Sequence, residues 1–329
     1  MREPRSTGLA GLGRLAIMSA VFNVVLPVFG LMLAGYLAGR FRLFGEASSE
    51  ALNRFVYYGA LPALFFVSLA RVEVAQAFHA PFIIAFGGGL LASFLVVFVV
   101  GIFAFPNRLA ALGLHGLSAV FSNTGFLGIP LLLTAFGDAA KLPGIISTVM
   151  MGTVVKGLGI VLVEIDLGQG GRLLRVVRNV LVGVLKSPLV FSAAAGLTVS
   201  ALGWPLPGAV AIFFDLMGAA ASPCALFAIG LFLVGRSVTA GLTEVGWMVL
   251  VKLLVQPAIT WWLAYRWLEM EPVWAAAAVI QAALPTGALV FVLAQQHGIY
   301  VQRASATILL STVVSVVTVS LLFVILGVS

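Results

Sequence analysis

From Met18 onward the chain alternates long apolar runs with short polar or basic stretches. Each run approaches the ~20 residues a helix needs to cross the hydrocarbon core of a bilayer. None shows the period-2 alternation of a barrel strand. The pattern predicts an all-α polytopic membrane protein with ten transmembrane helices. The first five cover residues 18–39, 52–70, 81–105, 111–136 and 142–163. The second five cover residues 187–203, 209–234, 245–267, 273–295 and 304–326. The chain then divides into a polar leader 1–17, a five-helix set 18–163, a basic linker 164–186 and a second five-helix set 187–329. The leader carries Arg2, Arg5 and Arg14, as a signal peptide would. The run after it is too long for a signal core and closes on no small-residue cleavage site, and Met18 is an alternative start.

The two sets repeat. Pro27 and Pro188 are 161 residues apart, as are Gly35 and Gly196, and Pro62 and Pro223. Thr124-Gly125 and Thr286-Gly287 are 162 apart. Four matches in register fall on the first, second and fourth spans of each set. Five is an odd number, so the second set enters the membrane from the opposite side. The expectation is an inverted repeat, a common build of secondary transporters.

The fourth and ninth spans are poor helices at mid-length. The fourth reads Phe121-Ser122-Asn123-Thr124-Gly125-Phe126-Leu127-Gly128-Ile129-Pro130, and the ninth Gln281-Ala282-Ala283-Leu284-Pro285-Thr286-Gly287. Proline removes a backbone donor and crowds the preceding turn, and glycine weakens a helix interior. Non-helical backbone at membrane depth survives only where it is buried in protein or lines a cavity. A broken helix also exposes new ends, and its N-terminal ends carry free N–H groups and partial positive charge. Two such ends meeting at the midplane suit a carboxylate. The candidate substrate-binding residues are therefore Asn123, Thr124, Gly125, Pro130, Gln281, Pro285, Thr286 and Gly287. The competing reading is that these prolines only kink their helices.

Composition fits the same picture. The chain is 62% hydrophobic and 9% charged, with a mean hydropathy of +1.17. A soluble domain carries about 25% charged residues, so this surface faces lipid. The net charge of +7 sits in connections, which is the pattern of membrane orientation rather than of a nucleic-acid partner. With both termini outside, the inner connections hold Arg40, Arg42, Arg108, Arg172, Arg175, Arg178, Lys186, Arg236 and Arg303. The outer ones hold Arg71, Lys141 and Arg266. That arrangement is expected for a multi-pass protein of the cell (inner) membrane.

Three charges fall inside predicted spans and are candidates for charge coupling: Lys156, Asp215 and Lys252. Lys156 could balance an anion, and Asp215 could serve as a gate or a proton-linked group. For Lys252, about two turns into its span, snorkelling to the interface is an equal reading. His79, His115 and His297 lie near predicted helix ends without metal-ligand spacing, and the expectation is that they are interfacial. Cys224 has no partner for an internal disulfide. No metal site or cofactor is expected, and H+ or Na+ coupling stays open. The residues allow a transporter for a small organic anion, a membrane-embedded enzyme, or a sensor of a small acid. The sequence holds no HExxH, no GxSxG and no phosphate loop.

The run SNTGFLGIPLL, Ser122 to Leu132, resembles the crossover motif of the auxin efflux carrier family. So does VIQAALPTGALVFVLAQ, Val279 to Gln295, and the likeness extends to LNRFVYYGALPALFF and KLLVQPAITWWLA. The short linker resembles the bacterial, malonate transporter-like members. The resemblance implies two inverted five-helix repeats with the fourth and ninth helices crossing at their breaks, in a bile acid/sodium symporter-like, NhaA-like architecture. It implies transport of a carboxylate such as malonate or an auxin-like acid by an elevator-type movement. The third to fifth and eighth to tenth helices would move. The first, second, sixth and seventh would form a scaffold, through which two copies could pair. Asn123 and Pro130 match the first crossover and Pro285 the second. Thr286 is smaller than the polar residue expected in the plant carriers, which leaves auxin itself in doubt as cargo.

Overall fold

The structure is a computed structural model that describes residues 21–166, 178, 181–236 and 241–328. The leader 1–17 and most of the linker 164–186 lie outside the described residues, as do the side chains of Lys156 and Glu164. Every regular element among the described residues is a helix, and an isolated β-bridge joins Ser122 to Thr286.

The principal helices are α1 (Leu26–Arg40), α2 (Glu46–Ala70), α3 (Ala80–Ala104) and α4 (Leu109–Val120). Then come α5 (124–136), α6 (141–166), α7 (Pro188–Ala201) and α8 (Gly208–Leu233). The last are α9 (Leu242–Trp267), α10 (Pro272–Ala283), α11 (Leu289–His297) and α12 (Val301–Ile325). Seven stretches among the described residues are long and apolar enough to cross a membrane, rather than the ten predicted. Leu109–Val120, Pro188–Ala201 and Pro272–Ala283 are apolar but shorter. Two of these three, α4 and α10, are short because each is the first half of a broken helix. One of the seven, Thr124–Val163, is 40 residues long. As a straight rod it would measure ~60 Å, twice the thickness of the hydrocarbon core. It turns back at Gly137, whose φ of +59° is a conformation glycine adopts without penalty.

The prolines explain several local widenings. Short π-turns at Val56–Ala60, Thr124–Gly128 and Val251–Val255 each stand just ahead of an X-Pro pair: Leu61-Pro62, Ile129-Pro130 and Gln256-Pro257. Proline cannot donate to the carbonyl four residues back, and its ring crowds that carbonyl. The residue before it instead bonds five residues back, as Leu61 does to Val56 O and Gln256 to Val251 O.

The helices pack as two groups. In the first, α1 crosses α8, and α2 packs on α7 and α8. Backbones touch there: a Cβ on Gly35 would overlap the Phe227 carbonyl, and one on Gly230 the Met32 carbonyl. A Cβ on Gly196 would likewise strike the Phe66 carbonyl. Gly35 and Gly196 are 161 residues apart, and so are Phe66 and Phe227. The α1/α8 and α7/α2 crossings are thus built from equivalent residues. In the second group α3 packs on α4, α6 on α4, α9 on α3 and α10, and α12 on α9. At its centre Ala110–Val120 of α4 and Ala275–Ala283 of α10 are buried without exception. A helix apolar all round belongs in a core. On the outside, Leu91 and Leu95 of α3 and Val313, Val317 and Leu321 of α12 form exposed apolar stripes suited to lipid.

These crossings set a prediction. Gly230→Val drives a side chain into the α1 backbone and lowers stability by about 2 kcal/mol or more. Gly246→Ala, where a Cβ meets nothing within 4 Å, raises it by up to about 1 kcal/mol. Thermal unfolding of the purified protein in detergent reads both.

Candidate functional site

The two broken helices meet at their breaks. Helix α4 ends at Val120 and α5 begins at Thr124, while α10 ends at Ala283 and α11 begins at Leu289. The second break follows from Pro285, which pushes Leu284 into an extended conformation, ψ 153°. The two unwound stretches run antiparallel and pair. Asn123 N–H donates to Pro285 O at 3.0 Å, and Gly287 N–H to Phe121 O at 2.8 Å. Gly287 is placed for close approach, since a Cβ there would stand 3.0 Å from the Phe121 ring and 3.4 Å from Asn123 Cα.

Side chains take up the remaining carbonyls. Thr286 Oγ1 donates to Ser118 O at 2.7 Å, and Thr286 N–H donates to Ser311 Oγ at 3.1 Å. Gln256 Nε2 reaches Val120 O at 3.4 Å, and Lys252 Nζ donates to Ala282 O and, at 2.8 Å, to Gln256 Oε1. The C-terminal ends of α4 and α10 are therefore closed by partners from α9 and from the opposite break. The N-terminal ends of α5 and α11 have no such side-chain cap, although Thr124 N–H is taken by Ser122 O at 2.9 Å and Val290 N–H by Gly287 O at 3.3 Å.

A cavity of about 250 Å³ lies between the two packing groups, lined by Tyr57 of α2, Thr148 and Thr153 of α6, Ser187, Leu189 of α7 and Leu289 of α11. Leu289 opens α11, and the Thr148 methyl would stand 3.1 Å from a Cβ on Gly125 in the first turn of α5. The cavity thus reaches the start of α11, and Thr148 stands between it and the first turn of α5. Among the described residues that line it none is charged. Its size suits a small ligand.

The sequence-predicted residues fall into distinct places. Thr124, Gly125, Pro285, Thr286 and Gly287 are buried in the crossover itself. Asn123 is half-buried, and its side chain has no hydrogen bond among the described residues. Pro130 is buried inside α5, beyond the break, so it shapes the π-turn rather than the unwound stretch. Gln281 is fully buried, with both amide atoms unpartnered among the described residues; Gly128 and Gly144 make room for it. Lys252 is fully buried and does not snorkel. Asp215 is half-exposed and forms a bidentate pair with Arg71 at 2.8 and 2.9 Å. The Asp215 carboxylate beside it raises the Arg71 guanidinium pKa above its usual value. Lys156 opens the second half of α6, and its side chain lies outside the described residues.

One polar cluster was not expected. His115 of α4 is buried, not interfacial. Its Nδ1 lies 3.0 Å from Glu244 Oε1 of α9 and 2.9 Å from the Tyr300 hydroxyl. Tyr300 also bonds Glu244, and Arg303 of α12 pairs with Glu244 Oε2 at 2.9 Å. Tyr300 holds a left-handed φ of +64° in the turn between α11 and α12. The cluster ties three separate segments of the second packing group together: α4, α9 and the start of α12. Lys252 and Gln256 stand at i,i+4 on one helix face, a local spacing from which their pairing could have been found. The His115–Glu244–Arg303 contacts join positions more than fifty residues apart and leave no local signal.

The chain matches the family described as membrane transport protein over residues 20–323. It is 32% identical over 303 residues to a protein of Rhizobium meliloti described as "Putative malonate transporter", covering 92% of this chain and 95% of that one. It is 25% identical to an uncharacterized transporter of Escherichia coli, covering 90% and 95%. It is 24% identical to auxin efflux carrier component 8 of Arabidopsis thaliana, covering 91% and 95%.

The buried cluster yields a stability test. Glu244→Gln leaves Arg303 and His115 without their carboxylate and lowers unfolding stability by about 2 kcal/mol or more. Glu50→Gln, in an exposed pair with Arg54, changes it by less than about 0.5 kcal/mol. Parallel unfolding curves in detergent compare the two.

Proposed function

The chain belongs to the membrane transport protein family, and on that premise we propose that it is a secondary transporter for a small organic anion, bound where the two broken helices cross. It is a multi-pass membrane protein and a transporter, not an enzyme. The observation that carries the anion reading is the asymmetry of the crossover. Its negative, C-terminal ends are capped by Lys252, Gln256 and Thr286. Its positive ends, at α5 and α11, carry no side-chain cap, and the start of α11 lines a cavity with no charged group among the described residues. A carboxylate entering there meets free N–H groups and the favourable end of two helix dipoles. Asn123, a half-buried crossover side chain with no hydrogen bond among the described residues, is its first side-chain donor.

The same reading gives the cargo a class. A small dicarboxylate such as malonate fits the cavity size and agrees with the description of the Rhizobium relative. The movement is of the elevator type. The group α3–α6 with α9–α12 carries the site, and α1, α2, α7 and α8 stand as scaffold. Three features support this division: the two packing groups, the cavity between them, and the matched Gly35/Phe227 and Gly196/Phe66 crossings. Ten crossings in two inverted halves, with the basic connections inside, complete the proposal.

Uptake of labelled malonate and a panel of other small acids into proteoliposomes tests it. The expected result is saturable flux for a short dicarboxylate; no flux for any acid, from folded protein, overturns it. Asn123→Ala is expected to fold normally and to weaken malonate binding about tenfold, the worth of one hydrogen bond to a charged group. A wild-type affinity in that variant removes Asn123 from the site.

A further inference from the structure

Lys252 is fully buried at the centre of α9, and its two hydrogen-bond partners are neutral oxygens, Ala282 O and Gln256 Oε1. No carboxylate pairs with it among the described residues. Its position explains why a lysine stands there. A helix leaves its last four carbonyls without intrahelical donors, and that end carries about half a negative charge. Both α4 and α10 end at the crossover, so two such ends converge in a water-poor interior. Lys252 Nζ caps one end directly through Ala282 O. Gln256, one turn on and held by the same Nζ at 2.8 Å, turns its amide donor to Val120 O at 3.4 Å and caps the other. The Gln256 side chain is itself fixed by having its oxygen taken by Lys252.

Carbonyls of unwound helices at membrane depth are also the groups that bind a coupling Na+ in transporters with broken helices. Resting on the transporter reading above, we propose that Lys252 is a tethered counter-cation: its ammonium stands where a metal cation would otherwise hold the two half-helix ends, so anion movement by this protein requires Lys252 and does not require Na+. The lysine acts on the cargo by positioning. It locks the crossover whose opposite, positive ends meet the anion, and it adds one positive charge to that region.

The test has two arms. In proteoliposomes, labelled-malonate uptake by the wild type is expected to be unchanged when Na+ is replaced by choline on both sides. Lys252→Ala is expected to lose uptake about tenfold or more, in keeping with the strength of a hydrogen bond from a charged donor. Methylammonium, which can enter the vacated space and restore the cation, is expected to recover part of it, and choline none. In the second arm, thermal unfolding of purified protein in detergent is followed with each cation. Methylammonium is expected to raise the midpoint of Lys252→Ala and to leave the wild type where it is; Na+ is expected to shift neither the wild type nor its unfolding curve.

A wild type whose uptake falls several-fold without Na+ overturns the proposal. So does a folded Lys252→Ala that transports like the wild type, or one whose midpoint ignores methylammonium. If Lys252→Ala does not fold, the wild-type cation comparison still decides. Absence of flux for every acid tried would count against the transporter reading alone, and the unfolding arm would still judge the lysine.

Discussion

The structure depends on one requirement: backbone polar groups freed by a broken helix must find partners inside the protein, because lipid offers none. Two helices are broken at membrane depth, at Phe121–Asn123 and Leu284–Ala288. Each break supplies part of what the other lacks. Asn123 N–H and Pro285 O pair across the crossing, as do Gly287 N–H and Phe121 O. Ser118 O, Val120 O and Ala282 O are taken by Thr286, Gln256 and Lys252. Neither break is affordable without the other, and both depend on α9 for their caps. This is the reason α4 and α10 form the most buried part of the molecule.

The way the requirement is met gives the crossover its polarity. Four half-helix ends converge, two negative and two positive. The negative ends are closed with donors, one of them the buried Lys252 amine. The positive ends carry no side-chain cap, and that of α11 lines the cavity. On the proposed reading, a pocket with no charged group among its described lining residues, at the start of α11, holds an anion without a surface arginine and lets it leave again. The glycines outside the site serve a different purpose. Gly35, Gly230 and Gly196 let α1, α8, α2 and α7 touch backbone to backbone, which makes that group a compact partner for the other.

The breaks were legible in the sequence because proline and glycine act locally. Pro285 ends α10 two residues ahead of itself, as its effect on the preceding residue requires. Pro130 was legible as a disruption but not as to kind: it widens a turn of α5, and the unwound stretch lies seven or more residues upstream. The repeat offset was legible because backbone contacts at Gly35 and Gly196 tolerate only glycine. Tertiary polar contacts were not. Lys252 read equally as a snorkelling lysine, since a span boundary does not say which way a side chain turns. His115 read as interfacial because its partners, Glu244 and Tyr300, lie more than a hundred residues away along the chain. Asp215 stood out as a charge within a span, yet it sits half-exposed beside Arg71. The span count was read from apolar length, and breaks that shorten α4 and α10 are what length alone conceals.

The central claim is that the crossing of the two broken helices is the anion site. A structure of the protein with malonate bound tests it most directly. The account predicts a carboxylate within ~3 Å of a backbone N–H in the first turn of α5 or α11, with Asn123 turned to it and the Lys252–Ala282 contact intact. Malonate seated elsewhere, for example on Arg71 or Arg303, with the crossover unoccupied, would contradict it.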